Sequence, residues 1–284
     1  MTNILIPTDF SKNAWHAISY TLLLFKDETC TFYLLHTYTP AFYRMDYMLG
    51  GPEASALPDT GVDASLAGLE KTLADIRKEF PNRRHRFEML SAFNTLTDEI
   101  SEQCESKQID LVVMGTRGAG GAKQLFLGSN TVFAIRKATV PVLAIPETVL
   151  FHPPRCVLLP SDYLSAYKPE ELAPVLHLIR MHQARVVLFH VNDGTALTDH
   201  QKDHKAHLER LMGDADYDVV EVYDGQMPGS VLDYIEEHPI DLLVMMNRKH
   251  DFFERLLERQ NVDRIGFHIR IPFLVVPDSS VIQP

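Results

Sequence analysis

The chain predicts an α/β protein built from two tandem doubly wound domains, each a five-stranded parallel sheet. Three features predict it. Short continuous runs of Val, Ile, Leu and Phe alternate with segments of helical period, the pattern of parallel strands buried on both faces and joined by helices. Four of these runs occur twice, in the same order, so the repeat is a whole domain and not a solenoid unit. The length of 284 residues, with 45% apolar and 23% charged side chains, suits two soluble domains that each bury a core.

The elements follow in order. Ile4-Leu5-Ile6-Pro7-Thr8-Asp9 reads as a first strand and its exit turn, and Asn13 to Phe25 as a helix. Phe32 to Thr37 is the second strand. The first half then carries a surplus around Tyr38 to Asp63, with Gly50-Gly51-Pro52, Pro58 and Gly61, which reads as a long loop. Ala64 to Phe80 is helical and stops at Pro81; Arg86 to Leu90 is a strand; Thr95 to Lys107 is a helix. Ile109 to Met114 and Val140 to Pro146 complete the sheet. In the second half the same parts are Val157-Leu158-Leu159-Pro160, Pro169 to Gln183, Val186 to Val191, Thr198 to Gly213, Val219 to Tyr223, Gly229 to His238, Ile240 to Met245 and Ile271 to Pro277. Prolines 146, 153 and 154 bracket a connector at 147–154. The expected domains are therefore residues 1–150 and 151–284, packed as a pseudo-symmetric pair.

Composition narrows the function. Net charge is −11, which argues against a nucleic-acid backbone as partner. The first half carries 14 basic and 17 acidic residues and the second 13 and 21, so the second is the more acidic. Cys30, Cys104 and Cys156 are scattered, suggesting neither a disulfide framework nor a zinc site. No apolar run reaches the ~18 residues of a membrane span. MTNILIPTDFS reads as a strand and not a signal peptide, so a cytoplasmic setting is expected.

Chemistry concentrates at Met114-Gly115-Thr116-Arg117-Gly118, followed after nine residues by Gly128-Ser129-Asn130. Glycines admit a close ligand, and a turn from a buried strand into a helix presents N–H groups and partial positive charge to phosphate. Ser129 adds a hydroxyl, and Arg117 and Lys123 add cations able to pair with phosphate. At a fixed offset of 131 residues, the second half has Met246 for Gly115, Lys249 for Gly118, Arg259 for Gly128 and Gln260 for Ser129, while Asn130 stays asparagine as Asn261. The phosphate-binding chemistry is thus expected in the first half alone.

The pattern Gly115-xx-Gly118-x9-Gly128-Ser129 resembles the ATP-binding signature of the universal stress protein family. Pro7-Thr8-Asp9, Leu35-His36-Thr37 and Val140-Pro141-Val142 resemble that family's strand ends, and the likeness runs through the chain twice. The resemblance implies the family's fold, adenine nucleotide alpha hydrolase-like, and a stress-response protein. It implies an adenine-nucleotide site in which Pro7, Thr8 and Asp9 lie by the adenosine and Thr37 holds the base through its backbone. Met114, Gly115, Arg117 and Gly118 would line ribose and phosphates, and Gly128, Ser129 and Asn130 would bind phosphate at the helix start. The implied ligand is ATP, or AMP or ADP, and Asp9 could bind Mg²⁺ through the nucleotide phosphate. Asn130 and Arg117 depart from the usual family residues at their positions.

Five other groups stand out. Asp9 reads equally as an N-cap for the first helix. His200, His204 and His207 share one helix face at spacings that suit a metal, although a solvated polar face is the simpler reading. His36 and His190 recur at matched strand ends, which favours a structural role. Tyr38, Tyr43 and Tyr47 lie beside the expected adenine position, and Phe252-Phe253 and Leu256-Leu257 replace the glycine loop in the second half. No general base for water attack is evident. The leading expectation is a nucleotide-dependent regulatory module. A slow ATPase or adenylate-using enzyme, and a nucleotide-independent scaffold that pairs as a homodimer, are the alternatives.

Overall fold

A computed structural model describes residues 1–38, 60–116, 128–192, 194–223, 229–248 and 270–279. In the first half the described elements are β1 (Thr2–Pro7), α1 (Lys12–Leu24), β2 (Cys30–Tyr38), α2 (Thr60–Glu79), β3 (His85–Phe93), α3 (Leu96–Ser106), β4 (Leu111–Gly115), α4 (Ser129–Lys137) and β5 (Val142–Ile145). In the second they are β6 (Cys156–Pro160), α5 (Pro169–His182), β7 (Arg185–Asn192), α6 (Asp199–Met212), β8 (Tyr217–Tyr223), α7 (Gly229–Glu237), β9 (Leu242–Asn247) and β10 (Phe273–Pro277). Most of the expected surplus loop, with Tyr43 and Tyr47, lies outside the described residues. So do Arg117, Gly118, Lys123 and the Phe252–Leu257 segment.

The strands form one sheet of ten in the order β3-β2-β1-β4-β5-β10-β9-β6-β7-β8. Neighbours within each half run parallel. Every strand therefore needs a crossover, and the helices that supply it cover both faces. The apolar runs divide by alternation. Ile4, Ile6, Phe32 and Leu34 join one core with residues of α1, α2, α5 and α6. Leu5, Tyr33 and Leu35 join a second core with residues of α3, α4 and α7. Each core draws residues from both halves.

The halves meet where β5 and β10 pair antiparallel, Phe273 with Ala144, Leu274 with Leu143 and Val275 with Val142. A two-fold related pair of parallel sheets can join edge to edge only in this sense, so the seam is the pseudo-dimer that the repeat predicts. Phe151 of the connector packs edge-on against Tyr20 of α1, 5.1 Å between centroids. Asn247 Nδ2, at the end of β9, donates to the Ile135 carbonyl in α4 at 3.0 Å. The sheet edges left open among the described strands are β3 and β8. No described helix is long and apolar enough to cross a membrane.

Candidate functional site

The chain leaves β1 toward β2 on one side and returns through β4 on the other. The carboxyl ends of β1 and β4 thus flank a topological switch point, where open α/β sheets form a crevice. Pro7 and Thr8 are buried at the end of β1, and Asp9 is exposed beyond them. Thr37 is half-buried near the end of β2, paired with Ala92 of β3. Met114 and Gly115 end β4, Gly128 precedes α4, and Ser129 and Asn130 open that helix.

The β1 exit is a tightly hydrogen-bonded arch. Thr8 N–H donates to the Leu35 carbonyl at 2.8 Å, and Thr8 Oγ1 accepts from Phe10 N–H at 3.1 Å. Asp9 Oδ1 accepts from Ser11 N–H at 3.0 Å. Phe10 takes a positive φ of 63°, which turns its ring onto His36, 4.5 Å between centroids. The second half repeats the arch: Ser161 Oγ accepts from Tyr163 N–H, Asp162 Oδ1 from Leu164 N–H, and Tyr163, at φ 58°, lies against His190. The N-cap of α1 is Ser11, whose Oγ accepts from Ala14 N–H at 3.1 Å. This corrects the capping role considered for Asp9. Asp9 sits two residues too early to reach the helix and closes the preceding turn instead.

The β4 exit is where glycine is needed for space. A Cβ on Gly115 would stand 2.4 Å from Asn13 Nδ2. Asn13, buried in the first turn of α1, fills that volume. Thr131, 2% exposed, donates its Oγ1–H to the Gly115 carbonyl at 3.0 Å. Gly128 N–H donates to the Thr116 carbonyl at 2.7 Å, so the exit of β4 and the entry to α4 are tied at one point. Gly128 has φ −57°, open to any residue, and makes no side-chain cap. Its backbone therefore does not require glycine, and it stands immediately before the first turn of α4. Asn13, Thr116 and Thr131 were not singled out from sequence. A polar residue on the apolar face of a helix was the available signal for Asn13.

His36 Nδ1 bonds Ser65 Oγ at 2.8 Å, and Ser65 Oγ bonds Ser91 Oγ at 2.7 Å. Burial pushes the His36 pKa down, against the opposing pull of Asp9. His190 bonds the Ser161 carbonyl through Nδ1 at 2.8 Å. Each histidine thus braces the arch of its own half. On α6, His204 Nδ1 reaches the Tyr163 carbonyl at 2.9 Å and His207 Nε2 the Tyr167 carbonyl at 3.0 Å, while His200 is exposed. Two of the three imidazoles dock α6 on the loop before α5. Among the described residues no group of three His, Cys, Asp or Glu is placed to hold a metal. At the matching end of β9, Met246 is buried in the core and Arg248 lies in the crevice against Glu171.

The model of the Universal stress protein family matches residues 1–146 and again residues 157–277. The chain belongs to the universal stress protein family. A universal stress protein from Archaeoglobus fulgidus is 17% identical over 97% of this chain and 98% of that one, with a TM-score of 0.68. A putative universal stress protein from Pseudomonas aeruginosa is 13% identical over 99% of this chain and 95% of that one, with a TM-score of 0.58. Both likenesses run through the two halves and show a shared fold. A family structure from Arabidopsis thaliana with AMP bound is 18% identical, covers 51% of this chain and 92% of that one, and has a TM-score of 0.34. A comparison with curated proteins found no match.

Proposed function

We propose that the first domain binds one adenine nucleotide (ATP, ADP or AMP) and that the chain acts as a nucleotide-dependent regulatory and interaction module. The observation that carries this reading is the contrast between the two crevices. The first is bounded by Gly115, the Thr116–Gly128 bond and the start of α4. The second holds an arginine of its own chain. The phosphates would lie at the start of α4, with Gly128, Ser129 and Asn130, and Arg117 would pair with them. Gly118 leaves room for ribose and phosphate, Met114 and Gly115 bound that room, and Pro7, Thr8 and the Thr37 backbone receive adenosine. Asp9 is the one carboxylate in this set, suited to a ribose hydroxyl or to Mg²⁺ brought with the phosphates. Binding then shifts the population of surfaces shown to a partner.

Calorimetric titration with ATP·Mg²⁺ tests the reading on the wild type and on Gly118→Lys, which copies Lys249 into the first half. Binding by the wild type and a loss of about 100-fold or more in the variant is the expected result, since a side chain then fills the phosphate approach. No binding to the wild type overturns the proposal. Unchanged binding in the variant moves the site elsewhere.

A further inference from the structure

The second crevice is closed by a buried ion pair of its own side chains. Glu171 occupies in α5 the place that Asn13 occupies in α1. Each is the first buried residue of its helix, followed by buried residues at the same spacings, Leu172, Val175, Leu176 and Ile179 against Ala14, Ala17, Ile18 and Thr21. A neutral amide beside a glycine has thus become a carboxylate beside Arg248, which stands at the position of Arg117. Arg248 Nη2 lies 2.6 Å from Glu171 Oε2 and donates to the Ala166 carbonyl at 3.1 Å. Its Nε is 4.0 Å from Asp278 Oδ2, and its Cζ lies 5.0 Å from the centroid of the Tyr167 ring. The two principal side chains are almost sealed, Arg248 at 10% exposure and Glu171 at 1%. Glu171 is saturated on its other side: Oε1 accepts from Ser279 N–H and Oγ–H, and Oε2 also accepts from Lys168 N–H.

We propose that the second crevice is a guanidinium-binding site, occupied by the chain's own Arg248. Carboxylate, carbonyl and aromatic face are the three partners a planar cation uses, and all three converge here. Arg248 ties the end of β9 to the start of α5, and Glu171 ties that point to Ser279 beyond β10. Three segments that the first half leaves around a crevice are here clamped by one ion pair. Arg248, the cation a phosphate would need here, is already committed to Glu171, so the second domain does not offer it to an anion. The inference does not depend on the nucleotide assignment of the first domain.

Chemical rescue of the full-length chain tests it. Arg248→Ala leaves Glu171 buried without its cation and is expected to lower Tm by about 10 °C. Guanidinium chloride at low millimolar concentration, far below denaturing levels, should restore part of that loss with a saturating curve. Equal concentrations of sodium chloride or urea should not. The double variant Glu171→Gln/Arg248→Ala should show no guanidinium response. If Arg248→Ala does not fold, Arg248→Lys provides the reading: it keeps the charge, loses the planar fork, and should melt below the wild type. Three outcomes overturn the proposal: wild-type Tm in Arg248→Ala or Arg248→Lys, a response equal to that of the salt or urea controls, or rescue that survives the loss of the Glu171 carboxylate.

Discussion

Adding one methyl group at Gly115 separates the two reasons a glycine can stand there. If the residue is glycine only for a ligand, Gly115→Ala leaves the free protein untouched. The packing says otherwise. The new Cβ would meet Asn13 at 2.4 Å from Nδ2, 2.8 Å from Cγ and 3.0 Å from Oδ1. Asn13 is 5% exposed and sits in the first turn of α1, between helix and sheet. Overpacking a filled interior costs about 1–3 kcal/mol. Replacing a strand glycine by alanine returns about 0.5–1 kcal/mol of backbone entropy. The clash is the larger effect, so a net loss of about 1–2 kcal/mol is expected, read as a Tm lower by about 2–6 °C in thermal melts without nucleotide. Asn13→Ala removes the obstacle, so Asn13→Ala/Gly115→Ala should be more stable than the summed single losses by at least about 0.5 kcal/mol. Wild-type stability in Gly115→Ala, or strict additivity in the double variant, would refute the packing account.

Thr131→Val keeps the volume and removes the hydroxyl that bonds the Gly115 carbonyl. A loss of about 1–2 kcal/mol in denaturant melts is expected, and an unchanged midpoint would show the bond to be dispensable. Burial lowers the pKa of His36, His85 and His182 from the ordinary 6.5. As pH falls through 6.5 the unfolded chain takes up protons that the folded chain refuses, so Tm should fall from pH 7.5 to 5.5; a Tm that rises over this window contradicts the assignment. His204→Ala and His207→Ala each remove a bond to the loop before α5 and should each cost about 1 kcal/mol. A tight zinc site in the wild type that disappears in either variant would show that metal binding is their task.

Much of the architecture was legible because parallel strands leave a simple mark. The runs at Ile4, Phe32, Ile109 and Val140 and their copies all became strands, and Pro169 and Thr198 mark helix starts where expected. Wherever a choice depended on contacts distant in sequence, the chain was less informative. Nothing local to Val142–Ile145 or Phe273–Pro277 reveals that these strands pair antiparallel into one sheet. Asn13 looked like the start of a helix, and only the fold brings it against Gly115, about a hundred residues away. Nothing local distinguishes Arg248 from Lys249 and Arg259, which stand at the lost glycines. Its meaning comes from Glu171, 77 residues earlier.

The comparison of the two crevices makes one quantitative demand: a single nucleotide per chain, held in the first half. Native mass spectrometry of the full-length chain with excess ATP·Mg²⁺ or AMP measures this directly. The account predicts one bound nucleotide, lost in Gly118→Lys and retained in Arg248→Ala. Two nucleotides on the wild type, or one that departs with Arg248, would contradict it.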